Sequence, residues 1–250
     1  MIRSQTADRV ARIELARPDK KNALTAEMYA QLTAALDAAG KDPQVRVILL
    51  RGSADCFTAG NDISDFLKRK PGESPVFGLF QVLPSLEKPV VVAVGGPAIG
   101  IGTTLLLHCD FIFAAEDARF QLPFVPLGIV PEFGSTLLLP RLAGYQRAAK
   151  LLLLGQPFTA REALDAGIVT EVVSKEDLLE KAEKTASMLA TLPPESLKLT
   201  KRLMKQAQAP EVQSRIAEEG RLFVERLASP EAKEAMSAFL EKRKPDFSRF

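Results

Sequence analysis

The stretch LGIVPEFGST (residues 127–136) sets one carboxylate, Glu132, between a proline and a phenylalanine, in a turn that also holds Gly128 and Gly134. Apolar neighbours such as Val130, Pro131 and Phe133 would desolvate that carboxylate, raise its pKa and make it a better proton acceptor. A plain solvated loop acid fits the bare sequence as well, so both readings stand at this point. Two other stretches offer a complementary chemistry. FTAGNDI (57–63) bends at Gly60, with Asn61 and Asp62 near a helix start, and GPAIGIGTT (96–104) carries the chain from a strand through glycines into a helix. Backbone N–H groups at such turns lack partners in their own element and can face a ligand oxygen. Two of them side by side form an oxyanion hole, which holds the negative charge that develops on a carbonyl oxygen. The glycines are equally explained by close packing alone, and the sequence does not put the two turns together. Asp62 reads better as a helix cap than as a catalyst. A dinucleotide fingerprint beginning at Gly100 and Gly102 fails, because its third glycine would fall at Leu105.

These turns need strands and helices to carry them. DRVARIEL (8–15) alternates as a strand, and Thr25 is an N-cap for a helix through Ala39. QVRVILLRG (44–52), PVVVAV (89–94) and DFIFAAE (110–116) read as further strands. LKRKPGESPV (67–76) is polar with Pro and Gly, as mobile surface segments are. Strand, helix and strand alternate, which predicts an α/β sheet built from crossover units. Beyond residue 140 the pattern turns helical: RLAGYQRAAKLLLLG, the capped TAREALDAG, a last strand in IVTEVV, then helix broken at Pro193-Pro194. The expected organisation is a core over 1–194 and a helical C-terminal region over 195–250. KRLMK (201–205) reads as a solvated helix face, with a contact to anionic phosphates as the alternative, and His108, among Leu105, Leu106 and Leu107, as a buried, hydrogen-bonded histidine rather than a catalytic one.

Composition narrows the function classes. The chain has 250 residues, 46% hydrophobic and 26% charged, with a formal net charge of +2, which gives no nucleic-acid surface. Cys56 and Cys109 form no CxxC and read as reduced thiols, and one histidine excludes a multi-histidine metal site. Residues 89–109 carry no formal charge, but Gly95, Gly96, Pro97, Gly100 and Gly102 would break a membrane helix in its middle. No membrane association is expected. No leader is evident at MIRSQTADRV, and the terminal SRF is not a peroxisomal signal, so the expected location is cytoplasmic.

Five stretches in order, RPDKKNALT, SADCFTAGNDI, KPVVVAVGGPAIGIGTTLLLHCD, ARFQLPFVPLGIVPEFGSTLLLPRLAG and AREALDAGIVTEVV, resemble the enoyl-CoA hydratase/isomerase (crotonase) superfamily. The resemblance runs over about residues 3–245. It implies a spiral of ββα units with a helical C-terminal region, homotrimers or dimers of trimers, and acyl-CoA thioester substrates whose enolate is held by two backbone N–H groups. Those donors fall on Asn61 and Ile101. The CoA-contacting positions fall on Lys20, Asn22, Ala23, Leu24, Ala59, Gly60, Asp62, Ile63 and Gly100, with Phe124 lining the acyl pocket. FLEK resembles a Phe/Lys pair that helps hold CoA, here Phe239 and Lys242, so the C-terminal region would serve assembly and cover the CoA pocket. No metal and no cofactor beyond the CoA of the substrate is implied.

The departures point to the reaction. Hydratases of this family use two glutamates, and those positions hold Thr104 and Phe124. Neither activates water or delivers a proton as a carboxylic acid does. Glu132 instead resembles the catalytic base of Δ3,Δ2-enoyl-CoA isomerases of the peroxisomal type. Ring-isomerising enzymes of phenylacetate-type degradation carry an acid at the same place. The resemblance thus implies an isomerase, with a ring-isomerising enzyme, a hydratase and a non-catalytic acyl-CoA-binding module as alternatives.

Overall fold

A computed structural model describes residues 1–53, 55–62, 64 and 76–250. Ile63 and the polar segment expected over 67–76, apart from Val76, lie outside the described residues.

The chain opens with a hairpin where one strand is expected. β1 (Ile2–Ala7) and β2 (Val10–Leu15) pair antiparallel across Asp8 and Arg9, both left-handed at φ 51° and 65°. A two-residue turn of this hand usually announces itself by Asn-Gly or Asp-Gly, and Asp-Arg gives no such signal. From β2 onward the pairing is parallel. β3 (Val47–Arg51), β4 (Val90–Val94), β6 (Phe111–Ala115) and β9 (Glu171–Val173) complete a sheet of order β1-β2-β3-β4-β6-β9. Its central strand VVVAV is buried on both faces, which is why it reads as an unbroken apolar run. A smaller sheet, order β5-β7-β8, joins Ala98–Ile99, Arg119–Gln121 and Phe158–Thr159.

Helices cover both faces of the large sheet. Ile48, Leu50, Val90, Val92 and Ile112 pack into the core with α1 (Ala26–Lys41) and α2 (Val76–Ser85). Thr25 caps α1, its hydroxyl accepting from the N–H of Met28 at 3.3 Å. Val47, Leu49, Val91, Ala93 and Phe113 meet the helix Leu178–Thr191, which contributes Leu178, Ala182, Ala186 and Leu189. The helix expected after the glycines of 96–104 is short: one α-turn, α3 (Ile101–Thr104), tightens into a 3₁₀ turn ending at His108. Gly144 separates α4 (Ser135–Ala143) from α5 (Tyr145–Leu154), and α6 (Ala160–Asp165) carries the Thr159/Glu162 capping box.

Past α7, the helix Leu178–Thr191, the Pro193-Pro194 pair separates it from α8 (Pro194–Gln206), followed by α9 (Ala209–Leu227) and α10 (Pro230–Leu240). α9 and α10 share the main core through Val212, Ile216 and Ala232, while α8 sends Leu197 against the cluster under α7. A side chain at Gly128 would meet the backbone of Ala232 at 2.7 Å, so α10 sits directly on the loop before Glu132. The solvated face expected at 201–205 is corrected at two positions. Lys201 is 3% exposed, its Nζ donating to Asp110 at 2.6 Å and to the Lys88 carbonyl at 2.8 Å, while Lys205 donates to the His108 carbonyl at 2.8 Å. A cation whose partner lies some ninety residues away has no local pattern to betray its burial.

Candidate active site

Glu132 is buried, 7% exposed, between the left-handed Gly128 (φ 70°) and the consecutive left-handed pair Phe133 (φ 60°) and Gly134 (φ 74°) that leads into α4. Thr104, at the end of α3, donates its hydroxyl to Oε1 of Glu132 at 2.5 Å. Burial pushes the carboxyl of Glu132 up to about 8, the Thr104 hydrogen bond pulls it back, and the negative charge of Glu219 adds to the rise. Phe133 is stacked between His108 and Phe80, ring centroids 4.1 and 4.2 Å away. The His108 Nε2 lies 2.8 Å from the Phe133 carbonyl, so that nitrogen carries the proton and donates. Burial lowers His108 to about 3, and the ring stays neutral. It is the buried, bonded histidine that the sequence leads one to expect.

The turns at 57–61 and 97–102 lie against each other. Thr58 pairs with Ala98 in a parallel bridge, with Ile99 N–H to the Thr58 carbonyl at 3.0 Å and Thr58 N–H to the Pro97 carbonyl at 2.9 Å. The closeness depends on glycine. A Cβ on Gly60 (φ 87°) would stand 2.8 Å from the Ile99 carbonyl oxygen, and one on Gly102 would stand 2.5 Å from the Thr58 methyl. Leu24 N–H donates to the Gly60 carbonyl and Asp62 N–H to the Leu24 carbonyl, so the groups flanking Asn61 are used and its own N–H turns away from Leu24. Ile101 opens α3, where an N–H has no intrahelical acceptor. Among the described residues neither N–H meets a backbone acceptor. The side chain of Asn61 is held by the Tyr29 hydroxyl at 2.8 Å. Three residues after Ile101 comes Thr104, which ties this pair of turns to Glu132.

The expected CoA-contacting residues divide. Lys20 is exposed, while Ala23, Ala59 and Gly100 are half-buried and Gly60 is buried. Asp62 forms an ion pair with Arg17 at 2.7 Å, and Arg17 also donates to the Ala23 carbonyl. Asn22 and Leu24 are both buried, at 0% exposure. The Asn22 amide donates to the Cys56 and Phe57 carbonyls and accepts from Arg17 N–H, stapling the 17–24 loop to the 56–60 turn. Its left-handed φ of 54° is the reason a short polar residue is needed there. Phe124 is buried at 5% exposure. Phe239 is 58% exposed and Lys242 is exposed at the end of α10; among the described residues no hydrogen bond or ion pair joins either to the 20–24 or 59–62 loops.

Sequence reasoning missed Glu219. It lies on α9, is 3% exposed, and accepts from Gly134 N–H at 2.5 Å, Thr136 N–H at 2.9 Å and the Thr136 hydroxyl at 2.5 Å. In the polar run AEEGR it looks like any solvent-facing helix acid. The uncapped start of α4 at Gly134, which offers its N–H groups to an acid from elsewhere, was the one available signal.

A mostly parallel α/β core, two glycine-shaped turns in contact and a buried carboxylate tied to one of them through Thr104 define a class. The sequence profile described as enoyl-CoA hydratase/isomerase matches residues 5–249, and the chain belongs to this family of enzymes, whose substrates are acyl-CoA thioesters. It is 37% identical over 244 residues to 2,3-dehydroadipyl-CoA hydratase of Escherichia coli K12, covering 96% of this chain and 95% of the relative. It is also 37% identical to 1,2-epoxyphenylacetyl-CoA isomerase of the same organism, covering 99% and 98%. The crystal structure of an enoyl-CoA hydratase/isomerase from Pseudoalteromonas atlantica T6c superposes with a TM-score of 0.94 at 44% identity, covering 98% of this chain and 99% of that one. The fold is therefore the crotonase spiral with its helical C-terminal region. Among the described residues no helix is long and apolar enough to cross a membrane.

Proposed function

We propose that the protein is an enoyl-CoA isomerase that moves a C3 double bond to C2 of an acyl-CoA. The Glu132 carboxylate takes a proton from C2, and the electron pair moves onto the thioester oxygen, held by the N–H groups of Asn61 and Ile101. As the carbonyl re-forms, the C3 double bond shifts to C2 and the Glu132 carboxyl returns a proton to C4. The observation that carries this reading is the buried Glu132–Thr104 pair. A hydratase asks for an activated water and a separate proton donor, but Thr104 is a hydroxyl bonded to Glu132, Phe124 is apolar, and Glu219 is committed to Gly134 and Thr136. CoA arrives with the substrate, and the steps use no metal or redox group. A homotrimer or dimer of trimers in the cytoplasm is the setting this reading assumes.

A ring-isomerising activity is the second reading. It is favoured by the full-length similarity to 1,2-epoxyphenylacetyl-CoA isomerase and by the stacked Phe80 and Phe133 beside Glu132. The test is incubation with 3-hexenoyl-CoA and, separately, with crotonyl-CoA. Formation of 2-hexenoyl-CoA with little water added to crotonyl-CoA supports the isomerase, and rapid hydration of crotonyl-CoA refutes it. Glu132→Gln is expected to lose several orders of magnitude in kcat while KM stays near the wild-type value, as for a group that acts only in the chemical step.

A further inference from the structure

The start of α4 carries a conformational debt that the catalytic loop cannot settle by itself. Glu132 is followed by two left-handed residues, and Phe133, which has a Cβ, is strained there at φ 60°. Such a turn persists only where its surroundings fix it. His108 and Phe80 hold the Phe133 ring and carbonyl. Gly134 has no side chain to anchor it, and no side chain within the loop caps α4. The capping carboxylate comes instead from α9, some eighty residues away: Oε2 of Glu219 takes Gly134 N–H, and Oε1 takes both the N–H and the hydroxyl of Thr136.

We propose that Glu219 is a positioning residue for the proton shuttle, clamping the Phe133–Gly134 turn so that the Glu132 carboxylate stays against Thr104. The proposal rests on Glu132 being the shuttle. It gives the C-terminal helical region a part in the chemistry besides packing, since the clamp acts on the residues next to the carboxylate without touching the substrate. Glu219 also acts through its charge. Glu132 is faced by the Thr104 hydroxyl from α3 and by the Glu219 charge from α9, with His108 nearby but neutral. Glu219 in turn is faced by Gly134, Thr136 and Arg215. Removing its charge lowers the pKa of Glu132.

The readout is exchange of the C2 protons of butyryl-CoA in D2O, followed against pH for wild type, Glu132→Gln and Glu219→Gln. In Glu219→Gln the plateau rate is expected to fall on the order of 10- to 100-fold with KM for butyryl-CoA unchanged, as for a misplacement of about 1 Å. The acid limb of the profile is expected to move to lower pH, which a merely structural contact would not cause. A Glu219→Gln profile that overlays wild type overturns the clamp while leaving Glu132 as the shuttle, provided Glu132→Gln has lost exchange. Wild-type exchange that survives in Glu132→Gln, or no exchange in wild type, removes the shuttle and the clamp with it. If Glu219→Gln does not fold, Thr136→Val removes one donor to the same carboxylate. A lower plateau in that variant supports the clamp, and an unchanged one overturns it.

Discussion

At the scale of the residue, the proposed isomerase asks one carboxylate, Glu132, both to take and to return a proton. A general base works best with a pKa near the working pH, and burial moves Glu132 from 4.5 to about 8. The cost is that the carboxyl is mostly protonated at neutral pH. Since only the ionised form accepts the C2 proton, kcat/KM is expected to rise with pH and to level off above about 8. Thr104→Val removes the hydroxyl that favours the ionised form, so the acid limb should shift to higher pH; a limb that moves down, or stays, refutes the role given to Thr104. The same shift acts on stability. Below 4.5 both the folded and the unfolded chain hold this proton. Between 4.5 and about 8 the unfolded chain has released it and the folded chain has not, so stability falls by up to ~1.4 kcal/mol per pH unit from this group. In Glu132→Gln that decline disappears, and denaturant midpoints measured at pH 5 and pH 8 in both proteins check it.

At the scale of the element, the site is an assembly of loops held by backbone contacts. The 17–24 loop, the 56–61 turn and the 97–102 turn are joined by Asn22, Thr58 and the pairing of Ala59 N–H with the Lys21 carbonyl. Motif order made these loops visible in the sequence. What joins them was not visible, because an asparagine that bonds to carbonyls thirty-five residues away looks the same as one that meets a ligand. Asn22 reads as a CoA contact in the sequence and is a loop staple in the structure, while Gly60 is the bend that the sequence leads one to expect. Gly60→Ala tests the geometry directly. The new methyl would stand 2.8 Å from the Ile99 carbonyl at a left-handed φ, so the two turns must part. The expected result is a loss of about 1–3 kcal/mol in stability together with a loss of kcat on the order of 10²-fold from the displaced Asn61 N–H. A variant that loses stability but keeps wild-type kcat would show that Asn61 does not hold the enolate.

At the scale of the whole molecule, the sheet and its covering helices were legible because their patterns are local: a β-branched run for a doubly buried strand, a threonine before an amphipathic helix, a proline pair between helices. The C-terminal helices were legible as helices but not as partners, since Lys201, Lys205 and Glu219 sit on polar faces whose contacts lie far away in the chain. Other side chains of these helices are apolar and reach solvent. Leu203 and Met204 on α8 and Phe239 and Leu240 on α10 are each more than half exposed. Exposed apolar side chains of this size suit contact with a neighbouring protomer. The homotrimer or dimer of trimers expected from the family resemblance would cover them, and would give Phe239 and Lys242 a neighbour's loops to meet. Light scattering on the purified protein is expected to give about three or six protomer masses, and Leu203→Glu with Leu240→Glu to lower that mass and the affinity for CoA esters together. A wild-type protein that runs as one protomer would leave both the assembly and the Phe239/Lys242 contact without support. A lower mass with unchanged affinity would keep the assembly and remove only the contact.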